Sequence, residues 1–446
     1  MNTRERAWRY ESHTPSLPEI HSSLPIPRSP SFLRKLVAFA GPGFLVAVGY
    51  MDPGNWATDL AAGSRYNYRL LFVIMLSNLL AILLQSLCIK LGVVTGRDLA
   101  QACRDHFSRP FSIVLWILAE IGIAACDLAE VVGSAIALQL LFGIPLIWGV
   151  CITALDVLLI LFLENKGFRY IEAIVVTLVA TIGVCFGLEI LFSRPEFHGI
   201  LSNMFVPSLE IVRNHEMLYI AIGILGATVM PHNLYLHSAV VQTRDFDRTP
   251  EGKREAIKYC NIDSAVALTF ALFVNSAILI VSAATFYRSG NHQVAEIGDA
   301  YKLLSPLLGV VGASTIFALA LLASGQNSTL TGTLAGQIIM EGFINLRVKP
   351  WMRRLITRLI AIIPTVIITA LRGESGTAQL LILSQVILSL QLSFAVFPLV
   401  MFTSDKLKMG EFVNATWLKV LSWTAAVVIA TLNAWLLVQT FREWMA

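Results

Sequence analysis

Two short motifs place possible metal ligands beside a helix-breaking proline, each inside an apolar stretch. The first is Asp52-Pro53-Gly54-Asn55, and the second, in the other half of the chain, is Met230-Pro231-His232. Because proline removes a backbone donor and clashes with the preceding turn, each motif predicts an opened helix with free carbonyl groups. A carboxylate, a carboxamide and a thioether that converge on one point suit a transition-metal ion. The motifs therefore predict one metal site made by two interrupted helices.

Met230 is the residue that distinguishes between the classes of cation that the site could bind. Oxygen-only sites suit Mg²⁺ and Ca²⁺, whereas a thioether favours softer ions such as Mn²⁺, Fe²⁺ and Cd²⁺. Asp52 at bilayer depth needs a cation, a proton or a partner, and Asn55, one turn away, offers a neutral carbonyl oxygen. We expect the ion to be a transported substrate, and we predict no bound cofactor.

The composition places these motifs in a membrane. Hydrophobic residues make up 56% of the 446-residue chain and charged residues only 14%, whereas soluble domains carry about a quarter charged residues. The chain is therefore predicted to be an all-α polytopic membrane protein. About eleven segments contain the roughly 20 apolar residues that a spanning helix needs. They are approximately residues 38–62, 70–94, 111–140, 144–163, 170–192, 217–241, 258–287, 304–342, 352–371, 378–402 and 417–440.

The two motifs lie in the first and sixth segments, which leaves five helices in each half. Proline and glycine interruptions at matching positions of two halves mark the midplane site of a transporter. This spacing predicts a LeuT-like five-plus-five inverted repeat with helices 1 and 6 broken. The predicted divisions are a disordered cytoplasmic tail at 1–34, a first repeat at 35–195, a second repeat at 217–403 and an additional helix 11 at 417–442.

Lysine and arginine residues set the predicted orientation. Most of the 33 basic residues fall on one side of the predicted membrane, including those in 97–109, 244–258 and 347–358. By the positive-inside rule this side faces the cytoplasm. The prediction is a multi-pass cell-membrane protein with a cytoplasmic N-terminus and an extracytoplasmic C-terminus. The net charge of +4 then reflects topology and not nucleic-acid binding, and no obligate protein partner is predicted.

Three carboxylates share one face of the otherwise apolar third helix. At 100° per residue, Asp127 lies about 20° from Glu120, and Glu130 lies about 80° from it. Aligned carboxylates in a membrane predict either a proton relay or a ladder of ion pairs that locks helices together. Arg353 and Arg354, at the start of helix 9, offer partners for either arrangement.

His232 is a further titratable group beside the metal motif. The usual pKa of histidine suits proton exchange near neutrality. We hypothesise that Asp52 releases or accepts a proton when the metal exchanges, and that helix 3 carries this proton to the cytoplasm.

Longer stretches around these motifs resemble one known family. DPGN in the first span, MPHN followed by LYLHS in the sixth, and ASGQNSTLTGTLAGQIIMEGF in the eighth resemble the Nramp family of divalent metal transporters. The likeness covers approximately residues 35–440. It implies a LeuT-like fold and proton-coupled uptake of Mn²⁺ and Fe²⁺ into the cytoplasm, by a protein that is not an enzyme.

The resemblance also implies roles for individual residues. It assigns the acids of helix 3 and the paired arginines of helix 9 to a proton route. The metal ligands that it implies are the side chains of Asp52, Asn55 and Met230, the backbone carbonyls near Gly49 and Ala227, and, in some conformations, Gln385 of helix 10.

Three other functions are compatible with parts of the pattern. A sodium-coupled organic-solute transporter of the same fold would not need Asp52 and Met230 together. An intramembrane metalloenzyme could use His232, Asp127 and Glu130, but the chain has no HExxH motif. A metal channel would differ from a transporter because its flux would not saturate at low metal or follow the proton gradient.

Overall fold

The computed structural model describes residues 8–10, 14–27, 31–155, 166–292, 294, 296–372 and 377–445. Its first half contains the helices α1 (Phe32–Phe39), α2 (Pro42–Val48), α3 (Pro53–Tyr66), α4 (Leu71–Thr95), α5 (Leu99–His106), α6 (Arg109–Phe142), α7 (Leu146–Ile152) and α8 (Phe168–Ser193). The second half contains α9 (Phe197–Phe205), α10 (Glu210–Arg213), α11 (His215–Thr228), α12 (Pro231–Val240), α13 (Pro250–Ser282), α14 (Ile297–Leu308), α15 (Ala313–Ile344), α16 (Pro350–Arg372), α17 (Thr377–Ser404), α18 (Lys406–Met409) and α19 (Thr416–Met445).

The length and hydropathy of these helices make the chain a multi-pass membrane protein. Seven described helical segments are long and apolar enough to cross a membrane, or eight if the bent pair Phe32–Phe39 and Pro42–Met51 forms one span. The three other predicted spans are helical over the described residues Leu146–Leu155, Ala313–Ile344 and Pro350–Arg372. The first of these is short, and the other two carry polar or basic residues that lower their hydropathy. Residues 156–163 of the fourth predicted span lie outside the described residues.

Helices 1 and 6 of the sequence pattern are both broken, as the prolines predict. Helix 1 consists of α2, a 3₁₀ turn at Gly49–Met51, extended backbone at Asp52, and α3. Helix 6 consists of α11, extended backbone at Met230, and α12. In each case proline occupies the first position of the second helix, where its missing N–H leaves no intrahelical hydrogen bond unmade.

One helix boundary differs from the prediction. The eighth predicted span, residues 304–342, was expected to be a single helix, but residues 304–308 belong to α14 and the long helix α15 begins at Ala313. Gly309 and Gly312 separate the two helices and have φ angles of 66° and 92°. This left-handed conformation ends a right-handed helix, and glycine adopts it without a steric penalty.

The broken helices lie at the centre of the bundle. The apolar window of His215–Thr243 is 94% buried, compared with 33% for Phe168–Ser193 and for Thr416–Val438. Around this centre, α15 packs on α6 and α8, α13 packs on α2 and α3, and α17 packs on α6 and α11. Polar side chains on the broken helices are therefore enclosed by protein and kept away from lipid.

An ion-pair cluster fixes the start of helix 1 to its neighbours. The Arg244 guanidinium donates to Glu172 of α8 at 2.6 Å and to the carbonyl of Ala40 at 2.5 Å. Asp263 of α13 accepts from the backbone N–H of Gly43 at 2.7 Å. These contacts close one end of the bundle, which we call the tail side because the N-terminal residues also pack there; the opposite end is the far side.

Part of the N-terminal tail, which the sequence predicts to be disordered, contacts the rest of the protein. Its residues 14–27 lie against the tail side, where Leu24–Pro25 pairs as a parallel strand with Arg244–Asp245. Ser16 Oγ donates to Asp98 Oδ2 at 2.6 Å, and the Leu17 N–H donates to Glu341 Oε2 at 2.9 Å. Backbone pairing and buried acceptors thus order a segment that is polar and proline-rich in composition.

Candidate metal site

At the break in helix 1, two side-chain oxygen atoms have no hydrogen-bond partner among the described residues. Asp52 caps α3, and its Oδ1 accepts from the Asn55 N–H at 2.9 Å. Asn55 Nδ2 donates to the carbonyl of Tyr50 at 2.9 Å, which fixes the orientation of the amide. Asp52 Oδ2 and Asn55 Oδ1 are buried, and neither has a hydrogen-bond partner within the described chain. Two bare oxygens on adjacent turns are suited to a cation.

At the break in helix 6, Met230 provides a thioether sulfur. Met230 is fully buried and has extended backbone (φ −73°, ψ 126°) between α11 and α12. Its side chain belongs to a small apolar cluster with Ala125, Cys126 and Leu388. Ala227, in the last turn of α11, is also buried. The break therefore combines the free backbone carbonyls at the end of α11 with the polarisable thioether of Met230.

The two breaks are in direct contact. Helix α11 packs on the 3₁₀ turn Gly49–Met51 of helix 1. A Cβ atom added at Gly49 would lie 2.3 Å from Nδ2 of Asn233, one turn after the second break. A side chain at position 49 would therefore displace the Asn233 amide from this close approach.

Gln385 of α17 lies against both breaks. A Cβ atom added at Gly54, in the first turn of α3, would lie 1.6 Å from its Nε2 atom. A Cβ atom added at Gly226, near the end of α11, would lie 2.3 Å from its backbone oxygen. Gln385 Oε1 is buried without a hydrogen-bond partner among the described residues. A third unpartnered oxygen thus belongs to a residue that lies against both breaks.

The carboxylates of α6 form a ladder of ion pairs with α16. Arg354 is hydrogen bonded through Nη1 to Asp127 and through Nη2, at 2.9 Å, to Glu130. Arg353 donates to Glu120 Oε2 at 2.9 Å. The side chains of Asp127, Glu130 and Arg354 are almost completely buried, whereas that of Glu120 is 26% exposed. The ladder therefore runs from the interior towards a more open position.

His232 connects the second break to this ladder through a cysteine. Its Nε2 atom lies 3.9 Å from Cys126 Sγ, and this sulfur donates to Glu130 Oε1 at 3.6 Å. His232 Nδ1 is buried without a hydrogen-bond partner in the part of the chain that the structure describes. Titratable groups thus extend from the break at Met230 to the acids of α6.

The donor set differs from that of a resident metal centre. Among the described residues, no group of three or more histidine, cysteine, aspartate and glutamate side chains could hold a metal ion. His232, Asp127 and Glu130, the set proposed for a metalloenzyme, do not form such a group, because Arg354 pairs with both acids. One carboxylate, neutral oxygens and a thioether suit an ion that must also leave.

The comparison with known proteins gives the family. The Nramp family, described as natural resistance-associated macrophage protein-like, matches residues 43–439. The chain belongs to the Nramp family. A relative named divalent metal cation transporter MntH, from Nostoc sp., is 69% identical over 431 residues, which cover 97% of each chain. A relative with the same name from Listeria monocytogenes is 66% identical over 439 residues, which cover 98% of each chain.

Solved structures show the same fold for this Nramp member. A crystal structure of the Eremococcus coleocola manganese transporter is 44% identical and has a TM-score of 0.88, covering 94% of this chain and 90% of that chain. Mhp1, a nucleobase-cation-symport-1 family transporter, is 15% identical and has a TM-score of 0.59, with 92% of each chain covered. The predicted LeuT-like, all-α fold is confirmed, and the relatives are named as transporters and not as enzymes.

Several polar residues at the site were not found from the sequence. Cys126 bridges His232 and Glu130. Gln85 of α4 bonds to His237 Nδ1 at 2.9 Å and to the hydroxyl of Tyr50 at 2.7 Å. A glutamine inside an apolar span was a signal for Gln85, because polar side chains in membranes are costly unless they are used. A cysteine carries no such signal.

Asn275 and Arg358 extend the two polar networks further. Asn275 Nδ2 donates to the carbonyl of Tyr50 at 2.8 Å, so two amides hold the turn before Asp52. Arg358, one turn after Arg354, lies 3.5 Å from Glu130 Oε2. Asn275 thus holds the turn before Asp52, and Arg358 adds a second arginine beside Glu130.

Proposed function

We propose that this Nramp protein is a secondary active transporter that imports divalent transition-metal ions, Mn²⁺ and Fe²⁺ and also Cd²⁺, together with protons by alternating access. The observation that carries the proposal is the contact between two helix breaks, of which the first has buried, unpartnered oxygens and the second has a buried methionine. The relatives named for divalent metal cation transport agree with it.

The proposed ligands divide into hard and soft atoms. Asp52 Oδ2 supplies the negative charge, and Asn55 Oδ1 adds a neutral oxygen. The backbone carbonyls of Gly49 and Ala227 complete the shell, and Gln385 joins it in part of the cycle. Met230 supplies the soft atom. Alkaline-earth ions gain little from a thioether, whereas transition ions gain a bond, so this atom favours transition ions over Ca²⁺ and Mg²⁺.

The proposed proton route begins at Asp52 and His232. A buried carboxylate that binds a cation cannot keep its proton, so metal binding and proton release are coupled at Asp52. The contacts from His232 through Cys126 to Glu130 support a path into α6. From Glu130 the path follows Asp127, Glu120 and their partners Arg354 and Arg353 towards the tail side.

The orientation and the repeats belong to the same proposal. The tail side is taken as cytoplasmic because it carries most of the basic residues. The N-terminus is then cytoplasmic and the C-terminus extracytoplasmic, in the cell membrane. Residues 35–195 and 217–403 form the two repeats that rock against each other, and 417–442 is an added helix.

Uptake by proteoliposomes that contain a pH-sensitive dye tests the function. Mn²⁺ added outside should enter with saturation, and the lumen should acidify as it does so. An inward proton gradient should accelerate uptake. Mn²⁺ entry that neither saturates nor responds to the gradient would indicate a channel and refute coupled transport. A requirement for Na⁺ instead of protons would favour the sodium-coupled alternative.

The same assay separates a proton relay from a purely structural ladder. We expect the Asp127→Asn, Glu130→Gln double variant to lose most of its metal-driven acidification, because neither position can then carry a proton. Uptake and acidification should be measured together, with Ser112→Ala, elsewhere on α6, as the control variant. Undiminished acidification in a folded double variant would show that the acids serve only to lock helices.

A further inference from the structure

Asp59 is a buried carboxylate for which the proposed transport cycle has no role so far. It lies in α3 and is 2% exposed. Its Oδ2 atom has no hydrogen-bond partner among the described residues. An intramembrane carboxylate without a partner costs several kcal/mol, so an ionisable group at such a position points to a function.

Three other polar side chains of α3 have hydrogen-bond partners. Asn55 Nδ2 donates to the carbonyl of Tyr50 at 2.9 Å, and Thr58 Oγ1 donates to the carbonyl of Asn55 at 2.9 Å. Ser64 Oγ donates to the carbonyl of Val294 at 2.8 Å. Asn55 Oδ1 and Asp59 Oδ2 are both buried without a hydrogen-bond partner among the described residues, but Asp59 is the residue of the two that carries an ionisable group and has not been given a role.

The position of Asp59 relates it to the metal site. It follows Asp52, the N-cap of the same helix, by seven residues, which places it two turns into α3 and about 10 Å further along the helix axis. Helix α3 runs from the break towards the far side, where Arg65 lies 4.0 Å from Glu216. Asp59 therefore lies between the far side and Asp52.

We propose that Asp59 is an entry ligand, to which a divalent cation arriving from the far side binds before it reaches Asp52. This inference rests on the proposed function. A single carboxylate is a hard ligand that binds any divalent cation, so Asp59 concentrates the ion without choosing among metals. It should affect capture at low metal concentration, whereas Met230 sets the preference.

Initial rates of radioactive Mn²⁺ uptake in proteoliposomes test this role. The Asp59→Asn variant should raise KM about tenfold, since lost supporting groups at metal sites typically cost 10–100-fold. Its kcat and its preference for Mn²⁺ over Ca²⁺ should stay near those of the wild type. The Asp59→Glu variant, which keeps the charge, should recover most of the wild-type KM.

Thermal unfolding supplies a readout that distinguishes this role from a structural one. Asp59→Asn removes an uncompensated charge, so the Tm should stay equal or rise. The matched control Ser64→Ala, on the same helix, should lower the Tm through the lost hydrogen bond to Val294 and leave KM unchanged. A wild-type KM in Asp59→Asn, or a loss of folding, would overturn the entry-ligand role. Absence of Mn²⁺ transport by the wild type would instead refute the proposed function itself.

Discussion

Replacement of Asp52 by asparagine is expected to reduce Mn²⁺ uptake at least about 100-fold, since even the loss of a supporting partner costs 10–100-fold at metal sites. The substitution keeps the shape of the side chain and its cap on α3, because an amide oxygen can still accept from the Asn55 N–H. It removes the negative charge from the otherwise unpartnered Oδ2 position. Initial rates of uptake at saturating and limiting Mn²⁺ measure the effect.

The stability of this variant separates loss of function from loss of fold. A buried carboxylate oxygen without a partner destabilises the folded state, so the asparagine variant should unfold at the same temperature or higher. Asn233, next to Gly49, offers a matched control: Asn233→Asp adds a charge beside the site instead of removing one. An Asp52→Asn protein that transports within a factor of about three of the wild type would remove Asp52 from the ligand set.

Replacement of Arg354 by methionine is expected to lower the free energy of unfolding by about 3–5 kcal/mol, the usual cost of breaking a buried ion pair. The guanidinium lies between Asp127 and Glu130, and all three side chains are at most 1% exposed. Without it the two carboxylates repel each other in a medium of low dielectric constant. Thermal or denaturant unfolding in detergent measures the change.

Arg353→Met is the matched control for this prediction. Arg353 neighbours Arg354 on α16 but pairs with Glu120, which is 26% exposed. Water can solvate the carboxylate that remains, so we expect a loss of only about 0–1 kcal/mol. Equal destabilisation by the two substitutions would show that burial does not determine the strength of these pairs.

The sequence was sufficient to predict the broken helices because local chemistry determines them. Proline next to Asp52, and again next to Met230, predicts a break wherever the flanking residues are apolar. The alignment of Asp127 with Glu130 follows from helical periodicity, and the arginines of α16 were the available counter-charges. These features depend on residues that are close in sequence or on charge that must be neutralised.

Contacts between segments that are distant in the chain could not be predicted from a single sequence. Cys126 bridges His232 and Glu130 only because α6 and α12 pack at that point. The docking of residues 14–27 depends on acceptors at Asp98 and Glu341, whereas composition alone favours disorder. The break between α14 and α15 was missed because the apolar pattern continues through Gly309 and Gly312, although their positive φ ends the helix.

We propose that two helix breaks form one metal site whose methionine excludes hard ions. Competition of Ca²⁺ and Mg²⁺ against Mn²⁺ uptake, compared between the wild type and Met230→Ala in proteoliposomes, tests it most directly. We predict that Ca²⁺ becomes an effective competitor in the variant, with an inhibition constant about tenfold lower relative to the KM for Mn²⁺. If Ca²⁺ and Mg²⁺ remain as strongly excluded as in the wild type, the thioether does not select the ion and the claim is wrong.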